Sequence, residues 1–416
     1  MAAYTIDILA PRYGTAALPE STRQWARARE TLITRVRPTR QRSSASESLL
    51  SAPTRHDIAA HHDEASGVWM LAGTLAELAE AASEWAAMPD ADAAALGREL
   101  GLALQHATTT PAWSTQIGSQ TFLWGERTYV MGIVNVTPDS FSGDGLLAVD
   151  DARSDAWTAT AVEQALAFVA QGADIIDIGG ESTRPGATPV DAEEEIRRVV
   201  PAIETLRRQS DIPISVDTVK ASVARAALDA GADMINDVWG LRLDPAMGPL
   251  VAERQVPVIL MHNRSRPRDS VISARLGGRY VGVAYDDLVL DLLEELQAQV
   301  AVAESQGIPR ERLIVDPGLG FGKTVPQNLA LLDRCDALRV LGLPILLGPS
   351  RKSFIGYTLD LPPEERIQGT MASLAVAVVQ GGADIVRVHD VETAVQAARM
   401  VDAIIAGGGS LAGEQD

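Results

Sequence analysis

The chain has a single cysteine among 416 residues, and its 36 Lys and Arg residues are outnumbered by 55 Asp and Glu residues. One cysteine cannot form an internal disulfide or a Cys-x-x-Cys metal site, which favours a reducing cytoplasm. A formal charge of −19 disfavours nucleic acid and acidic membranes as partners, because both are bound through exposed Lys and Arg. No uninterrupted apolar run reaches about 18 residues, and the N-terminus lacks a charged start before an apolar core, so we expect neither a membrane span nor a secretion signal.

Residues 1–120 contain no cluster of chemically active side chains. Residues 1–40 are an Arg-rich arm, for which a solvated helix and tail is favoured over an anion-binding role. Residues 41–66 are rich in Ser, Ala, Thr, His and Asp without periodicity, which predicts a flexible linker. Residues 67–120 combine the capping-box pair Thr74 and Glu77 with apolar residues at helical spacing. We therefore expect a small, mostly helical N-terminal extension, to which the sequence assigns no role.

Beyond about Thr128, short apolar runs alternate with amphipathic helical patterns. There are eight such runs: Val130–Val136, Asp174–Ile178, Pro213–Val216, Asp233–Ile235, Pro257–Met261, Arg312–Val315, Leu343–Leu347 and Asp384–Val388. Eight strands alternating with helices over roughly 280 residues match the (β/α)8 TIM barrel, an α/β fold, which we place at residues 121–410. A doubly wound open sheet is the structural alternative. The stretch Gly118–Gly125, with Phe122 and Trp124, suits a hairpin that plugs the N-terminal face of the barrel.

Polar or charged residues stand at the C-terminal end of nearly every predicted strand. They include Asn135, Asp217, Asn236, His262, Asp316, Ser350, Lys352, Arg387 and His389. A buried parallel strand is normally apolar, so such residues are costly unless something outside the core uses them. Active sites of TIM barrels are built from the C-terminal strand ends and the loops that follow. These side chains are therefore expected to converge on one mouth.

The residue types at this mouth fall into two sets. Asp217, Asp316 and Asn236 offer hydrogen-bond acceptors and donors to a flat, nitrogen-rich heterocycle that carries an amino and an amide group. The cationic and polar set suits phosphate oxygens; its members are Asn135, Thr183, Arg184, Arg387 and His389.

Lys352 has two possible roles at this mouth. It can donate a hydrogen bond to a phosphate, a ring carbonyl or a ring nitrogen, or it can act as a Schiff-base nucleophile. The donor role is favoured, because the Ser-Arg-Lys-Ser loop that carries Lys352 is expected to reach water.

The loop from Asp316 to Thr324 ends in Gly-Lys-Thr and so resembles a phosphate-binding P-loop. That motif requires a glycine at its first position, where this chain has Pro317. An ATPase is therefore disfavoured.

Seven motifs occur in order along the barrel region, at Met131–Ser142, Gly179–Gly186, Ser215–Thr218, Asn236–Val238, Asp316–Lys323, Ser350–Ser353 and Arg387–Asp390. Together they resemble the signature set of dihydropteroate synthase. The resemblance covers about Val130 to Ile405, and the N-terminal third of the chain has no part in it.

The resemblance implies a TIM-barrel transferase that condenses 6-hydroxymethyl-7,8-dihydropterin diphosphate with 4-aminobenzoate, giving 7,8-dihydropteroate and diphosphate in folate biosynthesis. It implies that the pterin is bound by Asp217, Asn236, Met261, Asp316 and Lys352. The diphosphate would contact Asn135, Arg387 and His389, with Asn135 also near a Mg2+ ion; these three and Lys352 are the predicted catalytic residues. The aminobenzoate would lie beside Ser350, with Thr183 and Arg184 on a second mobile loop. The expected partners are small-molecule substrates, and a homodimer is compatible with this resemblance.

Three features depart from the family pattern. The first loop reads Phe141-Ser-Gly-Asp-Gly145 where Phe-Ser-Asp-Gly-Gly is commoner, strand five is followed by Met261-His-Asn-Arg264, and the segment Ser265–Tyr285 is longer and more basic than expected. Three other functions stay in view: methyl transfer to a corrinoid protein, which needs no diphosphate motifs, a non-catalytic pterin-binding paralogue, and a second folate enzyme fused at the N-terminus.

Overall fold

The computed structural model of the chain describes residues 2–9, 32–39, 58–108, 113–137, 151–182, 189–266, 269–281 and 283–407. The chain forms two compact units. The first comprises Met1–Pro111, Tyr285–Ala298 and Asp336–Gly342, and the second comprises Ala112–Ala284, Gln299–Cys335 and Leu343–Asp416.

The first unit contains an antiparallel sheet and two helices. Its strands are β1 (Tyr4–Leu9), β2 (Leu32–Pro38), β3 (Ala59–Asp63) and β4 (Val68–Gly73), in the order β1-β2-β4-β3. The helices are α1 (Leu75–Ala86), which begins at the predicted Thr74–Glu77 capping box, and α2 (Ala91–Thr108). Helix α1 buries Leu78, Ala81, Ala82 and Trp85, which lie on one face at helical spacing.

The prediction of a mostly helical extension is wrong, because four strands precede the helices. The arginines of β2 form ion pairs, whereas a solvated helix was predicted for this segment. Arg35 contacts buried Asp7 at 2.7 Å and Asp287 at 2.5 Å, and Arg37 contacts Asp291 at 2.6 Å. A guanidinium on a strand can reach carboxylates that are distant in sequence, which local composition does not reveal.

The predicted linker is also wrong for its last part, since Ala59–Asp63 forms β3 and pairs with β4. The polar composition predicted a linker here, but β3 lies at the edge of the sheet, where a strand needs only one partner and tolerates polar side chains. Residues 10–31 and 40–57 lie outside the described residues, so the rest of the arm and of the linker stays a prediction.

The second unit begins with a hairpin of β5 (Ser114–Ile117) and β6 (Gln120–Leu123). Eight parallel strands follow: β7 (Tyr129–Asn135), β8 (Ile175–Gly179), β9 (Ile214–Asp217), β10 (Met234–Asp237), β11 (Val258–Met261), β14 (Leu313–Asp316), β15 (Leu346–Leu347) and β16 (Ile385–Val388). Each strand coincides with one of the eight predicted apolar runs to within a few residues.

Helices alternate with these strands: α3 (Asp151–Ala170), α4 (Ala192–Arg207), α5 (Ala221–Asp229), α6 (Met247–Arg254), α7 (Leu288–Ser305), α8 (Val325–Asp333), α9 (Ser353–Leu359), α10 (Ile367–Val379) and α11 (Val391–Ile405). Within the described ranges, none of the helices combines the length and apolarity that crossing a membrane requires.

The eight strands lie in the order β14-β11-β10-β9-β8-β7-β16-β15. The two end strands meet through a parallel bridge between Val315 and Ile345, and the Val315 N–H donates to the Pro344 carbonyl at 2.9 Å. This bridge joins the two edges of the sheet, so the TIM barrel is confirmed over the open doubly wound sheet.

The predicted hairpin is present at the N-terminal end of the barrel. Ile117, Phe122 and Trp124 are buried, and they belong to one apolar cluster with Tyr129, Met131, Ile175, Met234, Ile259, Ile314, Leu346 and Ile385 from the barrel strands. The indole N–H of Trp124 donates to Thr115 Oγ1 at 2.9 Å, which satisfies its only polar group. The hairpin thus closes one end of the barrel and leaves the other end for a site.

A second hairpin follows β11 and lies within Ser265–Tyr285, the segment predicted to be longer than the family pattern. It consists of β12 (Ser270–Ser273) and β13 (Gly277–Tyr280), which pair only with each other in the described part of the chain. The N–H of Val281 donates to the carbonyl of Asp269 at 2.7 Å, so the two ends of the hairpin are adjacent.

Candidate active site

A cavity of about 300 Å³ opens at the C-terminal ends of the barrel strands. Its lining includes six of the predicted site residues, Asn135, Asp217, Ser350, Lys352, Arg387 and His389. Three more, Met261, Asn236 and Asp316, are buried at the ends of their strands, with 2%, 3% and 6% of their surface exposed. Thr183, Arg184 and the first loop (138–150) lie outside the described residues, so the predictions for them are untested.

A largely buried ion pair network centres on Arg387, whose side chain is 18% exposed. Its Nε lies 2.5 Å from Asp177 Oδ2, and its Nη2 lies 2.6 Å from Asp217 Oδ2. Asn236 Nδ2 donates to the same oxygen of Asp177 at 3.1 Å. The sequence suggested an acidic ring pocket and a separate cationic pocket. The structure joins the two sets through Arg387, because strands β8, β9 and β16 are brought together by the closed sheet.

Burial shifts the pKa values in this network. Burial raises the pKa of Asp217 to about 7; the charge of Arg387 acts in the opposite direction, and Asp177 adds to the rise. Burial also raises the pKa of Asp316, although its Oδ1 accepts a hydrogen bond from the Gly318 N–H at 2.7 Å. Burial alone would lower the pKa of Arg387, but the carboxylates of Asp177 and Asp217 outweigh it and raise that pKa.

Lys352 lies against the glycine-rich loop Asp316–Thr324. Its Nζ lies 4.2 Å from the centroid of the Phe321 ring, which stabilises the ammonium form. Gly320 has a φ of +79°, and a Cβ there would lie 3.0 Å from Lys352 Cδ. Glycine is therefore required at this position for both its backbone conformation and its close approach to the lysine.

Lys323 supports this loop from inside. It is 1% exposed, and its Nζ donates to the carbonyls of Gly318 at 3.0 Å and Phe321 at 3.1 Å. His262 Nδ1 lies 3.0 Å from the same Nζ. The lysine of the P-loop-like segment is thus committed to its own loop, which agrees with the rejection of an ATPase.

Ser350 and His389 are coupled across two strand ends. The Ser350 hydroxyl lies 3.0 Å from His389 Nδ1 and also accepts the backbone N–H of His389 at 3.0 Å. The neighbouring Arg351 pairs with Asp390, its Nε 2.9 Å from Oδ2. This ion pair holds Arg351. The next residue, Lys352, instead places its ammonium over the Phe321 ring.

Two contributions to the site were missed in the sequence. Asp177 lies inside the second predicted apolar run, and no role was predicted for it, although a carboxylate inside an apolar parallel strand is a usable signal. Lys220 binds Glu181, which lines the cavity, at 2.6 Å and the buried Glu195 at 2.5 Å. Since Glu181 also accepts the Val190 N–H at 3.0 Å, these contacts tie together the two ends of the second loop. No motif joins these residues, so sequence spacing could not reveal them.

The family model of pterin binding enzymes matches residues 131–389, a range that contains all the residues that line the cavity and nearly all of the barrel strands. The chain belongs to the pterin binding enzyme family. A dihydropteroate synthase from Clostridium beijerinckii is 45% identical to it over 290 residues, which is 70% of this chain and 99% of that protein.

Two solved structures resemble this chain. Dihydropteroate synthase from Clostridium difficile, solved in the presence of pteroic acid, has a TM-score of 0.59 and 44% identity, and the match covers 70% of this chain and 98% of that one. The Xanthomonas albilineans enzyme, solved with 4-aminobenzoic acid, has a TM-score of 0.60 and 42% identity, with 72% and 99% covered. The predicted resemblance, and with it dihydropteroate synthesis by a folate-pathway transferase, is confirmed by these relatives.

The raised pKa of Asp217 has a consequence for stability. Because the pKa in the folded chain, about 7, lies above the usual 3.8, the stabilisation is complete at acidic pH and is lost as pH rises through about 7. Asp217→Asn keeps a neutral side chain of the same shape at every pH. Between about pH 4 and pH 7, we expect the free energy of unfolding of the wild type to fall relative to this variant, by at most about 1.4 kcal/mol per pH unit, and to level off above about pH 7.

Urea unfolding at a series of pH values measures this difference. The matched control is Asp229→Asn, which alters a carboxylate that is 62% exposed. A difference between the wild type and Asp217→Asn that stays constant with pH would show that Asp217 is ionised throughout.

Proposed function

We propose that this cavity carries out the condensation and that its residues have the following roles. The observation that supports it best is the buried contact of Arg387 with Asp177 and Asp217, beside Lys352, in a single cavity. The carboxylate of Asp217 can accept hydrogen bonds from ring N–H groups. Arg387 and Lys352 provide positive charge for a leaving anion in the same cavity. Relatives solved with pteroic acid and with 4-aminobenzoic acid make the two substrate classes reasonable for this chain.

The pterin is held by buried polar groups at strand ends. Asp217 and Asp316 accept hydrogen bonds from ring N–H groups, and Asn236 both donates and accepts. Their burial makes any mismatch expensive, because an unpaired buried polar group costs about 1 to 3 kcal/mol. Met261 supplies apolar contact; it pairs with Asp316 in the β11–β14 register, which places it beside that carboxylate.

The reaction is a substitution at the exocyclic methylene of the pterin. The bond from that carbon to the diphosphate oxygen breaks, a bond to the amine nitrogen of 4-aminobenzoate forms, and the nitrogen then releases a proton. The electron-rich ring stabilises positive charge on the methylene, so a strong general base is not required. Arg387 and His389 stabilise the negative charge of the departing diphosphate, and Lys352 holds the ring by donating a hydrogen bond. Ser350 lies beside the aminobenzoate, and Thr183 and Arg184, which lie outside the described residues, belong to the set predicted to bind the diphosphate and 4-aminobenzoate.

A Mg2+ ion fits the chemistry of Asn135. Its side chain stands at the end of β7, is half-buried, and lines the cavity. Among the described residues, no group of three or more His, Cys, Asp or Glu could hold a metal by itself. Mg2+ commonly takes one or two protein oxygens and completes its shell with substrate phosphates and water. Asn135 would supply that protein oxygen, and the ion when bound would add positive charge at the leaving diphosphate.

The first test concerns the metal. The full chain should release diphosphate and form dihydropteroate from the two substrates only when a divalent cation is present, because the diphosphate otherwise departs without sufficient charge compensation. Diphosphate release is measured with and without excess EDTA, and readdition of Mg2+ to the chelated enzyme is the control. Full activity in excess chelator would contradict the metal assignment, and absence of product in every condition would contradict the enzymatic role.

The second test concerns Lys352. Lys352→Ala should reduce turnover by roughly a hundredfold or more, because a charged donor beside the developing charge is removed. Lys352→Arg keeps the cation and should retain more turnover, and both variants should remain folded because Lys352 is only partly buried. Borohydride treatment during turnover, followed by mass spectrometry of the peptide that carries Lys352, tests for a Schiff base. A reduced pterin adduct on Lys352 would refute the donor role.

We further propose that the enzyme is a homodimer. Helices α10 and α11 pack together, and both carry large apolar residues that are 44% to 62% exposed, namely Val376, Val379, Met400, Ile404 and Ile405. Grouped exposed apolar residues commonly mark contacts between subunits. Sedimentation of the full chain should give a dimer, and the double variant Val379→Arg with Ile404→Arg should give a monomer. Val302→Arg, at an exposed valine of α7, is the matched control; a monomeric wild type would refute the dimer.

A further inference from the structure

We infer that the hairpin Ser270–Tyr280 limits the length of the amine that this enzyme accepts. The inference rests on the proposed function, because it assigns a specificity element to the same cavity. The hairpin lies in the segment predicted to be longer than the family pattern, and its residues Gly277 and Gly278 line the cavity. No predicted role in pterin or diphosphate binding falls on it.

The hairpin is held rigidly. An isolated two-stranded ribbon is at best marginally stable, so its position must come from contacts with the rest of the protein. Tyr357 Oη donates to the Gly277 carbonyl at 3.3 Å, and the guanidinium of Arg279 lies 4.5 Å from the centroid of the Tyr357 ring. Arg275 Nη1 donates to the carbonyl of Asp360 at 2.9 Å. These contacts place the hairpin against α9, which begins directly after Lys352.

Arg366 fastens the tip of the hairpin to the active-site loop. It is 2% exposed, and its guanidinium donates to the carbonyls of Leu276 at 3.1 Å, Arg351 at 3.0 Å and Leu361 at 3.0 Å. One buried side chain therefore connects the tip with the loop that carries Ser350 and Lys352. Because its donors are directed at three backbone carbonyls, Arg366 is a positioning residue for this wall of the cavity.

The hairpin and the segment after Lys352 form one wall of the cavity. We infer that the far end of a bound acceptor amine faces this wall. The amine nitrogen must approach the methylene beside the diphosphate, near Asn135, Arg387 and His389. The para substituent of the aromatic ring then points away from these residues. The cavity residues contributed by the hairpin and by the segment after Lys352 are Gly277, Gly278, Ser353, Pro363 and Arg366. We infer that backbone at this position stops a substituent that extends beyond a carboxylate.

The test compares two acceptors with the full-length enzyme. The first is 4-aminobenzoate, and the second is 4-aminobenzoylglutamate, which bears an amide-linked amino acid in place of the free carboxylate. The wild type should show a kcat/KM at least about 100-fold lower for the longer amine, because a rigid wall cannot repack around it. Comparable kcat/KM values for both amines would overturn the inference while leaving the proposed function intact. Absence of product from 4-aminobenzoate itself would instead refute the proposed function.

Two variants test whether the hairpin excludes longer amines sterically or only covers the cavity. Replacement of Ser270–Tyr280 by Gly-Ser-Gly joins two positions that are already hydrogen-bonded at 2.7 Å. It should bring the two kcat/KM values to within about tenfold of each other. Tyr357→Phe removes one anchor of the hairpin and leaves the aromatic ring, and it should improve use of the longer amine several-fold with little change for 4-aminobenzoate.

Ile272→Ser, at a hairpin side chain that is 62% exposed, is the matched control and should leave selectivity unchanged. A wild type that discriminates, with selectivity unaltered in the shortened chain and in Tyr357→Phe, would also overturn the inference. If the shortened chain fails to fold, the wild type and Tyr357→Phe decide the matter.

Discussion

The site depends on one largely buried cation, Arg387, which contacts two carboxylates at the mouth of a closed barrel. Asp177 is fully buried and Asp217 lines the cavity, and the two come from adjacent strands. Two neighbouring carboxylates in a region of low dielectric repel each other strongly. Arg387, on β16, compensates both and orients Asp217 through a direct hydrogen bond. The network thus both stabilises the strand ends and prepares the pocket for a polar ring.

This arrangement explains why the ring pocket and the anion pocket share a boundary. A substrate that carries a diphosphate brings negative charge to the neighbourhood of Arg387, and a pterin brings N–H donors to Asp217. In the proposed function, the two halves of one substrate satisfy the two halves of the ion pair network. We propose that the cation between them supports the cleavage of the bond that joins them, because charge developing on the leaving group is met by a group already in place. The buried Lys323 plays a supporting part by holding the loop on which Lys352 rests.

The N-terminal unit shows a different use of charge. Its sheet contains a fully buried Asp7 that contacts Arg35, and Arg35 and Arg37 also contact acidic residues between 287 and 294. Ion pairs of this kind are costly to leave half-formed, so they select one register and one partner segment. The unit therefore includes Tyr285–Ala298, although that segment lies more than 200 residues beyond β4 in the sequence. The relatives match about two thirds of the chain, and no functional role is carried over from them to this unit.

The sequence alone determined the barrel and most of the site. Eight apolar runs separated by helical patterns mark the strands because a parallel sheet covered on both faces tolerates few polar residues. The polar residues that end those runs had to meet, since the C-terminal ends of barrel strands share one mouth. Asn135, Asp217, Lys352 and Arg387 could therefore be found from their positions.

Only the tertiary structure decided which of these residues contact each other, and what lies around them. The pairing of Arg387 with Asp177 and Asp217, the support of Lys352 by Phe321, and the anchoring of the Ser270–Tyr280 hairpin by Arg366 all join segments distant in sequence. The same holds for the N-terminal strands, where polar composition suggested a solvated arm and linker but β2 and β3 pair with β4. Periodicity reports which face of a segment is buried, whereas hydrogen bonds and ion pairs between segments depend on distances that only the folded chain sets.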